Sequence, residues 1–234
     1  MTEAEWLSCT DPTPMLEFLD ASGRASKRKL RLFACACCRH IWGLLTDRRS
    51  REAVEVAERS ADGLAGEQEL HAAWQAAREV SDTSQAEVWQ RTAARAAEGT
   101  AAGLGALGAV WALGGGEAAA RSPALARALA AGSQPAFQEG RAHSGALLRD
   151  ILGNPFRPVT LSPAWQTPQV VALAQAAYDQ RGLPAGTLDT TRLAVLADAL
   201  EDAGCADADL LGHLRGPGPH VRGCWAVDLL LGRE

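Results

Sequence analysis

The chain has 234 residues and a formal net charge of −5, from 23 Lys+Arg against 28 Asp+Glu, a balance that argues against a strongly basic nucleic-acid binder. At 22% charged and 47% apolar residues the composition is that of a packed globular chain and excludes a disordered one. Alanine is abundant and β-branched residues are few, which favours helix over sheet.

Thr2 and Glu5 form a capping box, so a short helix starts at once. Asp11-Pro12-Thr13-Pro14 stops it and opens a second, Met15 to Asp20, ending near Gly23. Ser26 caps a basic helix expected to run from Lys27 to about Thr46. At about 100° per residue its apolar stripe is Leu30, Phe33, Ala34, Cys37, Ile41, Leu44 and Leu45. Further helices are expected from Ser50 to a left-handed cap at Gly63, over Glu67–Val80 and over Ser84–Glu98. From Gly99 the chain turns Ala/Gly-rich, and Gly114-Gly115-Gly116 and Ser133-Gln134-Pro135 read as loops. Gly153-Asn154-Pro155-Phe156-Arg157-Pro158 reads as a stiff loop. Helices are then expected from Thr167-Pro168 to about Gln180, from Thr191 to Ala203, and from Ala208 to Arg215 behind the cap Asp207. After the break at Gly216-Pro217-Gly218-Pro219 a final helix is expected over His220–Leu231, with Trp225 in the core.

The expected fold is therefore all-α, an irregular multi-helix bundle. Its parts are an N-terminal helical region (1–98), an Ala/Gly-rich insert or arm (99–146), and a C-terminal helical region (147–234) packed on the first. The acidic N-terminus lacks a basic segment followed by an apolar run, so no secretory signal is read there. Thr100–Gly116 is short and weakly apolar for a membrane span. The expected setting is the cytoplasm, where Cys9, Cys35, Cys37, Cys38, Cys205 and Cys224 stay reduced.

Several motifs invite chemistry. Gly103-Leu104-Gly105-Ala106-Leu107-Gly108 matches G-x-G-x-x-G, but a helical pattern precedes it where the dinucleotide fingerprint needs a strand. Cys35 and Cys38 lie one helical turn apart and could give a metal two thiolates. Zinc would need about two more ligands, with Cys205, Cys224, His213 and His220 as the candidates. No second ligand pair with recognisable spacing exists, so no cofactor is expected and zinc is the lesser alternative. His40 lies about 160° round the helix from Cys38, too far to serve as its base. No G-x-S-x-G, P-loop or H-E-x-x-H occurs. Glu201 and Asp202 point apart on a helix and read as a solvated face. The basic run Lys27-Arg28-Lys29-Leu30-Arg31 could meet phosphates, though Asp47, Glu52, Glu55 and Glu58 balance it. Arg157, Arg215, His220 and Arg222 sit on the two Pro-rich loops without an evident packing task. They are the candidate contact surface for an anion or an acidic partner segment.

The runs Met1–Leu19 and Arg28–Arg39, with Leu196–Cys205 and Gly216–Trp225, resemble an uncharacterised paralogous family of planctomycete proteins. The resemblance covers residues 1 to about 65 and 147 to 234. It implies a bacterial cytoplasmic protein and no particular chemistry, and no functional residue follows from it. The expected function is a non-enzymatic helical protein-interaction module in a bacterial regulatory or defence assembly. Its partner is another protein, with nucleic acid less favoured and no membrane. The alternative is a zinc-stabilised regulator contacting nucleic acid.

Overall fold

The structure, a computed structural model, describes residues 1–82, 88–101 and 130–233. Helix makes up more than half of these, and among them there is no β-sheet, only the isolated antiparallel bridges Gly182–Thr187 and Thr187–Val221. The glycine motif Gly103–Gly108, the Gly114–Gly116 loop and most of Thr100–Gly116 lie outside the described residues. Among those that are described, no helix is long and apolar enough to cross a membrane. The chain divides into two compact units, Met1–Leu148 and Arg149–Glu234.

The first unit opens with α1 (Glu3–Ser8), α2 (Pro12–Ser22) and α3 (Lys27–His40), and continues with α4 (Arg48–Ala61), α5 (Glu67–Ser81) and α6 (Val88–Ala101). The caps expected at Thr2 and Ser26 form. Thr2 and Glu5 bond reciprocally, Asp11 and Ser26 accept from the first turns of α2 and α3, and Gly23 is left-handed at φ 60°. Helix α3 ends at His40, short of the expected Thr46, and a single 3-10 turn follows over Trp42–Leu44. Gly43 in that turn disfavours continued α-helix.

The predicted stripe of α3 is incomplete. Leu30, Phe33, Cys37, Ile41 and Leu45 are buried as expected, but so are Leu32, Cys35, Ala36, Cys38 and Arg39. The helix is central because α4 and α6 both pack on it. Alanines line the core among α4, α5 and α6: Ala53, Ala57, Ala77, Ala93, Ala97 and Ala101 are all buried, and small side chains let the helix axes approach. The next helix, α7 (Gln134–Leu152), includes the expected loop residues Gln134 and Pro135. Within the expected insert 99–146, the described residues 99–101 and 134–146 are therefore helical and belong to the first unit. Proline is compatible with the first turn of a helix, so Pro135 does not break it.

The second unit holds the last turn of α7, then α8 (Pro168–Asp179), α9 (Thr190–Asp202), α10 (Ala208–Leu214) and α11 (Trp225–Leu231). Thr167, Asp189 and Asp207 cap α8, α9 and α10. Its core gathers Val170, Tyr178, Leu193, Leu196, Leu200, Leu210, Leu214, Val227 and Leu230. The last helix starts at Trp225, not His220. Gly218 and Gly223 stand at φ 85° and 92°, which no right-handed helix admits. His220–Cys224 is instead a turn tied to Leu188 and Thr187. Trp225 is half-buried against the core, not enclosed as expected.

A buried ion pair sets the sharpest energetic constraint in the first unit. Arg39 Nε and Nη2 donate to Glu58 Oε1 and Oε2 at 3.0 and 2.9 Å, and the guanidinium lies 4.2 Å from the Trp42 ring centroid. Arg39 and Glu58 are 5% and 4% exposed. Removing one partner strands a charge in the interior. Glu58→Ala should therefore cost about 3–5 kcal/mol in urea unfolding, whereas Arg39→Met combined with Glu58→Leu should come out near neutral.

Candidate metal centre

Four side chains of the second unit converge: Asp150 from the last turn of α7, His213 from α10, and His220 and Cys224 from the turn before α11. One donor atom from each lies within 4.8 Å of all the others. His213 Nε2 is 3.2 Å from Asp150 Oδ1 and 3.2 Å from Cys224 Sγ, and His220 Nδ1 is 2.9 Å from the same Oδ1. A tetrahedral ion with bonds of about 2.0–2.3 Å to N, O and S sets its ligand atoms roughly 3.3–3.6 Å apart, inside the range these atoms span, from 2.9 Å up to 4.8 Å.

Local structure explains the convergence. Gly153 ends α7 at φ 70°, and a Cβ there would meet Trp225 Cγ at 3.0 Å. Its bare backbone lets the Trp225 ring sit against the helix end that carries Asp150. At Gly218 a Cβ would lie 2.7 Å from the His220 amide nitrogen, and φ is 85°, so this turn also requires glycine. The His213 ring packs 5.0 Å from Trp225 and edge-on to His220 at 4.8 Å.

The outer contacts aim the donor atoms inward. His220 Nε2 donates to the Gly216 carbonyl at 3.1 Å, so Nδ1 faces the cluster. The Val221 amide donates to Asp150 Oδ2 at 2.9 Å, so Oδ1 faces it too. Such contacts orient metal ligands and set the histidine tautomer. A Cys-His-Asp catalytic relay would need cysteine and carboxylate on opposite imidazole nitrogens, but here both meet His213 Nε2. The arrangement points four donors at one place and passes no proton along a line.

The electrostatics are those of a buried carboxylate paired with imidazole. Burial pushes the Asp150 carboxyl up, but hydrogen bonds from His213 and His220 outweigh it and hold it below the ordinary carboxylate range. Burial pulls the His220 imidazolium down, but the Asp150 hydrogen bond and charge and the Gly216 carbonyl raise it on balance. Both ring nitrogens of His220 face acceptors, Asp150 Oδ1 and the Gly216 carbonyl, which favours the protonated ring. A metal ion would replace its Nδ1 proton.

The sequence-derived candidates distribute otherwise than expected. Of Cys35, Cys38, Cys205 and Cys224, only Cys224 joins the cluster. Cys35 and Cys38 belong to the core of the first unit, with Cys35 Sγ 3.8 Å from the Val54 carbonyl, and Cys205 packs in the core of the second. Burial, with Cys35 and Cys37 beside it, pushes the Cys38 thiol well up, and burial pushes Cys37 to about 12. Thiols so protonated are poor ligands and poor nucleophiles.

The expected contact surface also breaks up. His220 is 4% exposed and bonded to Asp150, so it is not a surface residue. Arg215 is held by Asp198 and Glu201, and Arg222 lies over the Tyr178 ring with Nε 3.4 Å from its hydroxyl. Arg157 is exposed. Asp150 carried no expectation, and no spacing in the sequence could have flagged it, 70 residues from His220. No family model matches the chain, and no curated protein or solved structure matches it.

Stability of the metal-free protein should follow these groups. The lowered Asp150 value contributes above the ordinary 3.8 and is lost as acid passes the folded value. The raised His220 value contributes below the ordinary 6.5 and is lost as pH rises through the folded value. In chelator-treated protein the Tm gap between wild type and His220→Gln should be widest between about pH 4 and 6.5 and should narrow above that range. A gap that widens toward pH 8 would contradict this assignment.

Proposed function

We propose that the second unit is a metal-stabilised helical module, with Asp150, His213, His220 and Cys224 holding one zinc-like divalent ion. The observation that carries this reading is the convergence of four donor atoms from three separate segments within 4.8 Å. Two imidazoles, a thiolate and a carboxylate suit zinc. Magnesium and calcium, which prefer all-oxygen shells, fit poorly. Four protein ligands fill a tetrahedral shell and leave no position for substrate, which supports a structural and non-enzymatic role. The ion would cross-link the end of α7, α10 and the turn before α11. The module then acts through contacts with another protein, in a reducing cytoplasm that keeps Cys224 a thiol. Loss of the His220 and Cys224 protons accompanies binding, so affinity should rise with pH.

Protein purified without chelator should carry one zinc per chain by elemental analysis. Chelation should lower Tm, and zinc should restore it. His220→Ala and Cys224→Ser should both abolish stoichiometric metal, whereas Cys38→Ser should keep it. A metal content near zero after reconstitution at pH 8, with Tm indifferent to zinc, would refute the reading.

A further inference from the structure

We infer that His213 is the exchangeable ligand of this centre, and that a small external nitrogen or sulfur donor can take its place on the ion. This rests on the ligand set proposed above and adds a ligand-binding position to it.

Three observations single out His213. The first is access: its side chain is 20% exposed, against 2% for Asp150 and 2% for His220, and Cys224 is wholly enclosed. Any molecule reaching the ion from solvent meets His213 before the other ligands.

The second is anchoring. His220 is held from outside the cluster by the Gly216 carbonyl on its far nitrogen and by the Leu188 amide on its backbone oxygen. Asp150 is held by the Val221 amide. The polar contacts of the His213 ring are with Asp150 and Cys224, both inside the cluster. Among the described residues no hydrogen bond fixes its Nδ1. Ligand histidines are normally oriented by such an outer bond, and losing one typically weakens metal binding about 10–100-fold.

The third is the carrier. His213 stands on α10, a seven-residue helix, next to Gly212. Gly212 is exposed, and a Cβ there would meet nothing within 4 Å. No packing demands glycine at this place, so its effect is to loosen the turn that holds His213.

The exchange is a simple substitution. The bond from His213 Nε2 to the metal breaks, the nitrogen keeps its lone pair, and the lone pair of the incoming donor forms the new bond. With neutral imidazole as the donor, no charge or proton changes hands. The three buried ligands keep the ion in place throughout, so the centre passes from a closed four-ligand shell to one with a solvent-facing position. The fitting ligands are small imidazoles and thiols.

The test uses full-length protein and Co(II), whose visible bands report the ligand shell. Wild type should bind one Co(II). His213→Gly should also bind one, more weakly, and free imidazole should shift its bands back toward those of wild type. His220→Gly should not be rescued, because its cavity is sealed. A His213→Gly protein that holds Co(II) but ignores imidazole overturns the inference and leaves the ligand set standing. Wild type that binds no Co(II) overturns both. A second measurement does not depend on the variants folding. In wild type, the rate of Co(II) transfer to a chromophoric chelator should climb with imidazole concentration. A rate independent of imidazole overturns the inference.

Discussion

The buried carboxylate of Asp150 sets the terms for the second unit. An ionised group at 3% exposure is tolerated only if each oxygen finds a donor or a cation. One oxygen takes the Val221 amide, and the other faces two imidazoles. Every segment that reaches the carboxylate is thereby fixed in place. The end of α7 has to meet α10 and the turn before α11, and Gly153 and Gly218 are the residues that let the backbones come close enough. The turn is pinned again by the bridge from Thr187 to Val221.

The first unit handles its interior charge in another way. Arg39 and Glu58 neutralise each other side by side on α3 and α4, with the Trp42 ring covering the guanidinium. That pair is complete, since both forks are matched and the net charge is zero. The Asp150 cluster instead shares one carboxylate oxygen between two imidazoles, with the Cys224 thiol against one of them.

Local signals in the sequence were enough for most of the helices. Thr2, Ser26 and Asp207 all cap the helices they were expected to cap, because each cap depends on residues three positions apart. The start of the last helix was misplaced where backbone torsion decided the matter, at Gly218–Gly223, and α3 ended short of expectation at the 3-10 turn that holds Gly43. Composition could not reveal that α3 is enclosed on nearly every side, because periodicity reports one face and Cys35, Cys38 and Arg39 lie off it. Three of the four clustered residues were visible in the sequence. His213, His220 and Cys224 were candidates through residue type alone, while Asp150 was one carboxylate among many and is placed by the fold. The adjacent cysteines of α3 drew attention by spacing, and burial removes them from the site.

The shared Asp150 oxygen has an evolutionary consequence. His213 and His220 both depend on one atom, and each also depends on the other ring being in place. Effects of substitution at such positions do not add. Once any one of the four residues is lost, the remaining three are a burden of buried polar groups, and later changes that remove them become favourable. Descendants of such a chain should therefore carry either the whole quartet or an apolar replacement of it, with few lineages stable in between.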